Sequence, residues 1–268
     1  MSILQAIVLG VVQGITEFLP VSSSGHLQLA RELLGVHLTE SLTFDVALHC
    51  GTVCSTIVVL WREVWEILRG IFSVRWNESH TYAAKIVVSM IPVAIVGFAF
   101  KDSIEELLAS DYNLLIVGSM LIITSLLLWV AHKSPATAGE GRDISFRDSL
   151  IIGIAQAMAV LPGLSRSGST IATGILLGDD RSKVAKFSFL MVLVPILGNT
   201  LLDLIKGGGE IVVEGVSSGA MAAGFVSSFV VGALACRAMI EIVKRGKLIY
   251  FALYCAIVGL LSIGAFIL

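Results

Sequence analysis

The sequence predicts an all-α polytopic membrane protein, and three observations indicate this class. Its 268 residues are 56% hydrophobic and only 14% charged, with a mean hydropathy of +0.93, outside the usual balance of soluble globular domains. The apolar residues form runs of about 17 to 22 positions, long enough for a helix to cross roughly 30 Å of hydrocarbon and far longer than the segments of a β-barrel. The net charge is −2 and no basic patch stands out, so no nucleic-acid partner is expected.

The chain contains an internal repeat. The stretch GVVQGITEFLPVSSSGH aligns with GIAQAMAVLPGLSRSGS, so that Gly10 falls on Gly153. The segment between the two halves is rich in Pro, Gly and charged residues, which is typical of a loop. We therefore interpret residues 1–268 as one membrane domain formed by duplication, with repeats 1–135 and 146–268.

Each half begins with a segment that is too short and too interrupted to cross the membrane cleanly. These segments are 3–19 followed by 26–36, and 149–162 followed by 169–178, and they predict two re-entrant helical hairpins. The transmembrane helices that follow are predicted at 42–61, 84–100 and 113–131 in the first half and at 184–204, 219–236 and 248–268 in the second. Because three spans per half is an odd number, the two halves must have opposite orientations, which is an inverted-topology repeat.

The basic residues predict how the protein lies in the membrane. Fourteen of the 18 Lys and Arg residues fall in the connecting segments 62–85, 132–148, 179–186 and 237–247. Only Arg31, Lys101 and Lys206 lie on the opposite side. By the positive-inside rule the four connecting segments are cytoplasmic and both termini face outward. Arg166 then lies in the hairpin that enters from the cytoplasm, and Glu17 lies in the hairpin that enters from outside.

The tips of the two hairpins carry polar and helix-breaking residues at membrane depth. Irregular backbone there is tolerated only where protein or a wet cavity satisfies its polar groups. Pro20 interrupts the first tip, the serines that follow can cap the next helix, and the N–H groups at that helix start attract an anion. The second tip adds Arg166, whose planar guanidinium suits phosphate oxygens. The candidate phosphate-binding residues are Ser22, Ser24, Gly25, Ser165, Ser167 and Gly168.

Three further residues of the first tip offer acid–base and nucleophilic chemistry. Glu17 can hold a divalent cation or accept a proton, His26 can relay a proton, and Ser23 is a candidate nucleophile. An ionisable residue inside a membrane is by default a candidate for function. The alternative is a purely structural ion pair between Glu17 and Arg166, with the serines acting only as helix caps.

Other notable residues have simpler interpretations. Asp45 and His49 lie one helical turn apart, and either support the first hairpin from behind or bond to another helix. The cysteines form no zinc spacing and are expected to be small buried apolar residues. Tryptophans near the predicted cytoplasmic ends of spans are typical of an interfacial belt. They are Trp61, Trp65, Trp76 and Trp129.

The stretches GVVQGITEFLPVSSSGH and PGLSRSGST together closely resemble the paired motifs of the undecaprenyl pyrophosphate phosphatase family of bacitracin-resistance proteins. The resemblance covers essentially the whole chain. It implies hydrolysis of a C55 polyprenyl diphosphate to the monophosphate carrier and inorganic phosphate, which recycles the carrier for cell-wall synthesis and confers bacitracin resistance. It also implies assistance from Mg²⁺ or Ca²⁺ and a plasma-membrane site that opens outward.

The family's motif positions suggest a mechanism for this chain. Ser23 would attack the terminal phosphorus with His26 as proton acceptor, while Arg166 and the metal neutralise charge on the phosphoryl oxygens. Direct attack by water and a phosphohistidine at His26 are alternatives. Gln13 is the neutral option at a position where the family also has Glu, so Glu17 is the main protein ligand and Gln13 a weak one. The diphosphate itself would then hold most of the cation.

A polyprenyl-phosphate transporter or flippase is the competing class of function. Inverted repeats with broken helices that meet at the midplane are typical of alternating access. Glu17, Ser23 and His26 favour the enzyme, because a transporter needs Arg166 but has less use for a nucleophile and a base beside it. The sequence leaves open the nucleophile, the metal, the prenyl-groove residues and the oligomeric state, a homodimer included.

Overall fold

The computed structural model of the chain describes residues 1–36, 42–100, 112–134, 139, 141–198 and 216–267. Across these residues the regular structure is helical, apart from a bridge between the backbones of Arg142 and Asp179. The helices are α1 (Ile3–Phe18), α2 (Ser23–Leu33), α3 (Leu42–Val59), α4 (Trp61–Ile71), α5 (Glu78–Ala99), α6 (Asn113–Lys133), α7 (Phe146–Met158), α8 (Arg166–Leu176), α9 (Arg181–Met191), α10 (Ser218–Lys244) and α11 (Ile249–Ile267). The predicted all-α class is confirmed.

Four of the described helices are long and apolar enough to cross a membrane, namely α5, α6, α10 and α11. A fifth span is obtained if α3 and α4, which meet at 83°, are counted as one bent span. These helices coincide with five of the six predicted spans and support a multi-pass membrane protein. The predicted span 184–204 begins within α9, and its residues beyond 198 lie outside the described part of the chain.

The segment 62–85, predicted as a connection, contains the helix α4 and the start of α5. None of the α4 residues is buried, and Trp61 and Trp65 stack with their ring centroids 5.8 Å apart. Apolar residues recur at helical spacing on one side of α4, with charged residues between them, which is the pattern of an amphipathic helix. Similarly, α10 continues through the predicted connection as far as Lys244.

Each of the two segments that are predicted to form a hairpin contains a pair of short helices. A capping box formed by Ser2 and Gln5 starts α1, and a second one, formed by Ser145 and Asp148, starts α7. The first helix of the first pair ends at Phe18 and that of the second pair ends at Met158, at the predicted tips. In each pair the second helix begins three residues earlier than predicted, directly after a serine at the N-cap position.

Glycines allow the long helices to approach closely and so bring the tips together. A Cβ on Gly14 of α1 would lie 2.8 Å from the backbone N of Gly232 on α10. A Cβ on Gly118 of α6 would lie 2.8 Å from the carbonyl O of Gly259 on α11. A Cβ on Gly259 would likewise lie 2.8 Å from the carbonyl O of Gly118. Such small-residue contacts are the usual way for membrane helices to pack.

The prediction that the cysteines are buried is correct for two of the four. Cys236 and Cys255 are fully buried, whereas Cys50 and Cys54 on α3 are only partly buried. None of the four forms a disulfide bond within the described part of the chain.

Candidate active site

The two hairpin tips meet, although 143 positions separate their matching residues. The Ser167 hydroxyl donates to the carbonyl O of Leu19 at 3.2 Å. A Cβ on Gly168 would lie 3.1 Å from Cβ of Pro20, so glycine permits this contact between the tips. The backbone N–H of Ser165 donates to the Thr124 hydroxyl of α6 at 3.1 Å and anchors the second tip.

A partly buried ion pair joins the tips at this meeting point. The Arg166 guanidinium bonds directly to Oε1 of Glu17, whose side chain is only 4% exposed. Oε2 of the same carboxylate accepts a hydrogen bond from Nε2 of Gln13 at 2.9 Å and lies 3.7 Å from Nδ1 of His49. Nε2 of Gln13 also lies 3.0 Å from Nδ1 of His49. The predicted residues Gln13, Glu17, His49 and Arg166 therefore form one connected polar cluster.

A cavity of about 270 Å³ opens onto this cluster. Its lining includes Glu17, Arg166, His49 and the serines of both tips, which are Ser22, Ser23, Ser24, Ser165 and Ser167. Ser23 lies beside the Glu17 carboxylate on this lining. The cavity thus combines a guanidinium, a carboxylate and several hydroxyl groups, a set that can bind a phosphate group and move a proton.

The starts of α2 and α8 differ in their capping. Oγ of Ser165 accepts from the backbone N–H of Gly168 at 3.1 Å, as expected of an N-cap. Ser22 occupies the corresponding position before α2 but makes no side-chain capping bond, contrary to the expectation that this serine caps the helix. Its φ is 71°, a left-handed conformation that is costly for a residue other than glycine. Such strain is typical of functional sites.

His26 lies on the other side of the first tip. Its Nδ1 is 2.9 Å from the carbonyl O of Ser22, and its Nε2 is 2.6 Å from the hydroxyl of Tyr254 on α11. It lines a second cavity, and it bonds to Ser22 and Tyr254 rather than to Ser23, the residue whose proton it was expected to accept. Tyr254 belongs to no motif, so its contribution to this arrangement could not be found from the sequence.

Asp45 and His49 have different partners despite lying one turn apart. His49 contacts the Glu17 cluster, as the interpretation of a supporting residue requires. Asp45 forms an ion pair with Arg31 of α2 and thereby ties the far end of the first hairpin to α3. The sequence grouped these two residues, whereas the structure connects only one of them directly to the cluster.

The oxygen atoms near Glu17 fit a hard divalent cation that is held mainly by its substrate. Across the described residues, His, Cys, Asp and Glu form no group of three that could hold a metal ion. Oε1 of Gln13 is buried beside Glu17 without a hydrogen-bond partner. One carboxylate and one amide oxygen suit Mg²⁺, which usually takes its remaining ligands from water and phosphate.

Comparison with known proteins gives a consistent relationship over nearly the whole chain. The family model described as bacitracin resistance protein BacA matches residues 6–261. An undecaprenyl-diphosphatase of Bacteroides thetaiotaomicron is 52% identical over 261 residues, which cover 97% of each chain. One from Parabacteroides distasonis is 51% identical over 269 residues and covers 100% of each chain. One from Methanosphaera stadtmanae is 36% identical over 278 residues, which cover 98% of each chain.

Proposed function

The chain belongs to the bacitracin resistance protein BacA family, and from this premise we propose that it is an undecaprenyl-diphosphatase of the membrane. It hydrolyses undecaprenyl diphosphate to undecaprenyl phosphate and inorganic phosphate, which recycles the lipid carrier for cell-wall synthesis and confers bacitracin resistance. The relatives that carry this name match the chain from end to end. The observation in the structure that supports the proposal best is the buried pair of Glu17 and Arg166 between two serine-rich helix starts.

The diphosphate binds between the two helix starts. Arg166 provides a planar cation for the terminal phosphate, and the N-terminal N–H groups of α2 and α8 add positive partial charge. The absence of a side-chain cap at Ser22 leaves the start of α2 free for a ligand oxygen. Binding replaces the Glu17 carboxylate with phosphate oxygens at Arg166 and releases Glu17 for chemistry.

Glu17 is the proton acceptor in this mechanism, because it lies beside Ser23 on the cavity that both residues line. Oγ of Ser23 attacks the terminal phosphorus and its proton passes to Glu17. The bond from phosphorus to the bridging oxygen breaks, and undecaprenyl phosphate leaves. Water then hydrolyses the phosphoserine to inorganic phosphate and restores the Ser23 hydroxyl. Direct attack by a water bonded to Glu17 gives the same products.

His26 is a second candidate for proton transfer, but it requires a movement. Its side chain would have to leave the Tyr254 hydroxyl before it could reach Ser23. Glu17 and Oε1 of Gln13 would hold a divalent cation, which would supply positive charge beside the diphosphate.

The matching tips also support a finer proposal for the architecture. Residues 1–135 and 146–268 form two inverted repeats, each with a re-entrant hairpin and three transmembrane helices. Both termini face outward, and the site opens to the outer side of the plasma membrane. The distribution of basic residues supports this orientation.

The test is phosphate release from a polyprenyl diphosphate by the purified protein in detergent, where transport cannot occur. We expect Glu17→Gln, Ser23→Ala and Arg166→Ala each to lower turnover by about 10²-fold or more, the range for loss of an acid–base or charge-stabilising group. Ser119→Ala is the matched control, because this hydroxyl bonds only to the backbone of its own helix α6.

A folded wild-type protein that releases no phosphate, with or without divalent metal, would overturn the phosphatase. The broken helices and their meeting tips would then favour a polyprenyl-phosphate flippase. Movement of the labelled lipid between the leaflets of proteoliposomes would test that alternative directly.

A further inference from the structure

A second cavity lies beside the candidate active site and has no role in the mechanism above. It measures about 370 Å³ and is enclosed by α2, α6 and α11. Ser22 lines both cavities, so they meet at the first hairpin tip. The volume lies within the range of about 300 to 1,000 Å³ that is usual for small-molecule sites.

The wall of this cavity is aliphatic along two helices. Leu114, Val117 and Leu121 line it from α6, and their spacing of three and four residues places them on one side of that helix. Val258 completes the wall from α11, and Val21 borders it at the tip. The cavity therefore offers its occupant an aliphatic side formed by α6 and α11, and polar side chains are also part of its lining.

The charges around the cavity exclude an anionic head group as its occupant. No Lys or Arg is among its lining residues, and the charged group it does have is the Glu32 carboxylate. The guanidinium suited to phosphate, that of Arg166, lines the other cavity. An apolar, uncharged chain is the occupant that this lining suits.

The position of the cavity connects that chain to the site and to the lipid. Both α6 and α11 are candidate membrane spans, so the aliphatic wall is formed by helices that are expected to contact the hydrocarbon. Gly25 stands at the junction, and a Cβ there would lie 3.6 Å from Oγ of Ser22 and 3.8 Å from a methyl of Val117. A chain that leaves a diphosphate beside Ser22 can therefore pass the glycine into the apolar cavity.

We propose that this cavity holds the isoprene units next to the diphosphate of the substrate, and that Val117, Leu121 and Val258 set the preference for a prenyl chain. The proposal rests on the proposed function, since it concerns the lipid part of the same substrate. His26 lines the cavity and bonds to Tyr254 of α11, and this bond positions the tip between the two parts of the substrate.

The first test compares two substrates that differ in chain length, undecaprenyl diphosphate and isopentenyl diphosphate. Val117→Phe and Leu121→Phe fill the cavity and should lower the ratio of kcat/KM for the long over the short substrate by about tenfold to a hundredfold, the effect of misfit in an apolar pocket. Leu126→Phe is the matched control, because Leu126 lies on the same helix and is 56% exposed. An unchanged ratio in both filled variants would overturn the proposal.

A second test keeps the proposal separate from the phosphatase activity and from the folding of the variants. A prenyl diphosphate that carries a photoreactive diazirine on its first isoprene unit is irradiated with the wild-type protein, and the labelled peptides are identified. Labels on the peptides of α6 and α11 that contain Val117 and Val258 support the cavity.

Labels confined to other helices would overturn the proposal. So would labelling of these peptides that excess phospholipid reduces but undecaprenyl phosphate does not. Labelling of this cavity by a protein that releases no phosphate would refute the phosphatase and leave the prenyl site standing.

Discussion

At the scale of single residues, the proposed mechanism places the substrate phosphate where Glu17 and Arg166 now meet. Each neutralises the other in the absence of ligand, so a buried charge is never left unpaired. Removing one partner leaves the other uncompensated, and Ala variants therefore test stability and catalysis together. A variant that keeps the charge separates the two.

We expect Arg166→Lys to fold like the wild type and to lose about tenfold to 10²-fold in kcat/KM for phosphate release. The ammonium keeps the charge beside Glu17 but lacks the planar pair of donors that matches phosphate oxygens. Thermal unfolding in detergent, followed by circular dichroism, provides the control for folding. A fully active Lys variant would show that the guanidinium geometry is not used.

Asp179, in the turn between α8 and α9, provides a prediction about pH. Burial, and then the nearby Asp148, raise the pKa of Asp179 to about 6, and the Arg142 guanidinium 3.9 Å away offsets this only in part. Between about pH 4 and 6 the folded protein still holds the Asp179 proton, whereas the unfolded chain has lost it. The free energy of unfolding therefore falls as pH rises through that window.

We expect Asp179→Asn to remove that fall and to be more stable than the wild type at pH 7 by roughly 1–3 kcal/mol. Neither carboxylate oxygen has a hydrogen-bond partner that the amide would lose. Melting temperatures from pH 4 to 7 measure the effect. Asp143→Asn is the control and should lower the stability instead of raising it, because the bond to Lys183 lowers the pKa of Asp143. Parallel curves for Asp179→Asn and wild type would contradict the prediction.

At the scale of helices, the close contact of α6 with α11 fixes the walls of the second cavity. Gly118 and Gly259 face each other across this contact, and Val258 of the cavity wall is the neighbour of Gly259. A side chain at either glycine must push the two helices apart. Packing and the shape of the cavity are therefore linked.

We expect Gly259→Ala to lower the free energy of unfolding by roughly 1–3 kcal/mol, the usual cost of overpacking. Gly264→Ala on the same helix should have little effect, because nothing lies within 4 Å of the added Cβ. Thermal unfolding of both variants in the same detergent makes the comparison. Equal melting temperatures would show that the contact is loose.

The helices also show what the sequence could and could not predict. The long apolar runs identified α5, α6, α10 and α11, because composition alone decides whether a helix can span a membrane. The repeat identified both tips, because Pro and Gly interrupt those runs. By contrast, α4 was predicted as a connection, because its charged residues interrupt the apolar run and only the helical spacing of its apolar residues indicates an amphipathic helix. The direction of the His26 side chain depends on the left-handed backbone of Ser22, and a positive φ at a serine cannot be predicted from the residue type.

At the scale of the whole molecule, the proposed orientation depends on charge alone and can be tested by labelling. In a variant without the native cysteines, we expect Ser2→Cys to react with a membrane-impermeant maleimide in intact cells. Ser73→Cys, which follows α4, should react only after the cells are permeabilised. Both positions are exposed, so access is limited by the membrane. The reverse pattern would invert the orientation and place the termini in the cytoplasm.

The ion pair between the two tips has a consequence for turnover. Because Glu17 is attached beside Arg166, it acts as a built-in competitor of phosphate with a high effective concentration. It therefore helps to expel the inorganic phosphate that each cycle produces. We expect free phosphate to inhibit only at about millimolar levels or above. The same carboxylate that accepts a proton in one step would then clear the site for the next lipid.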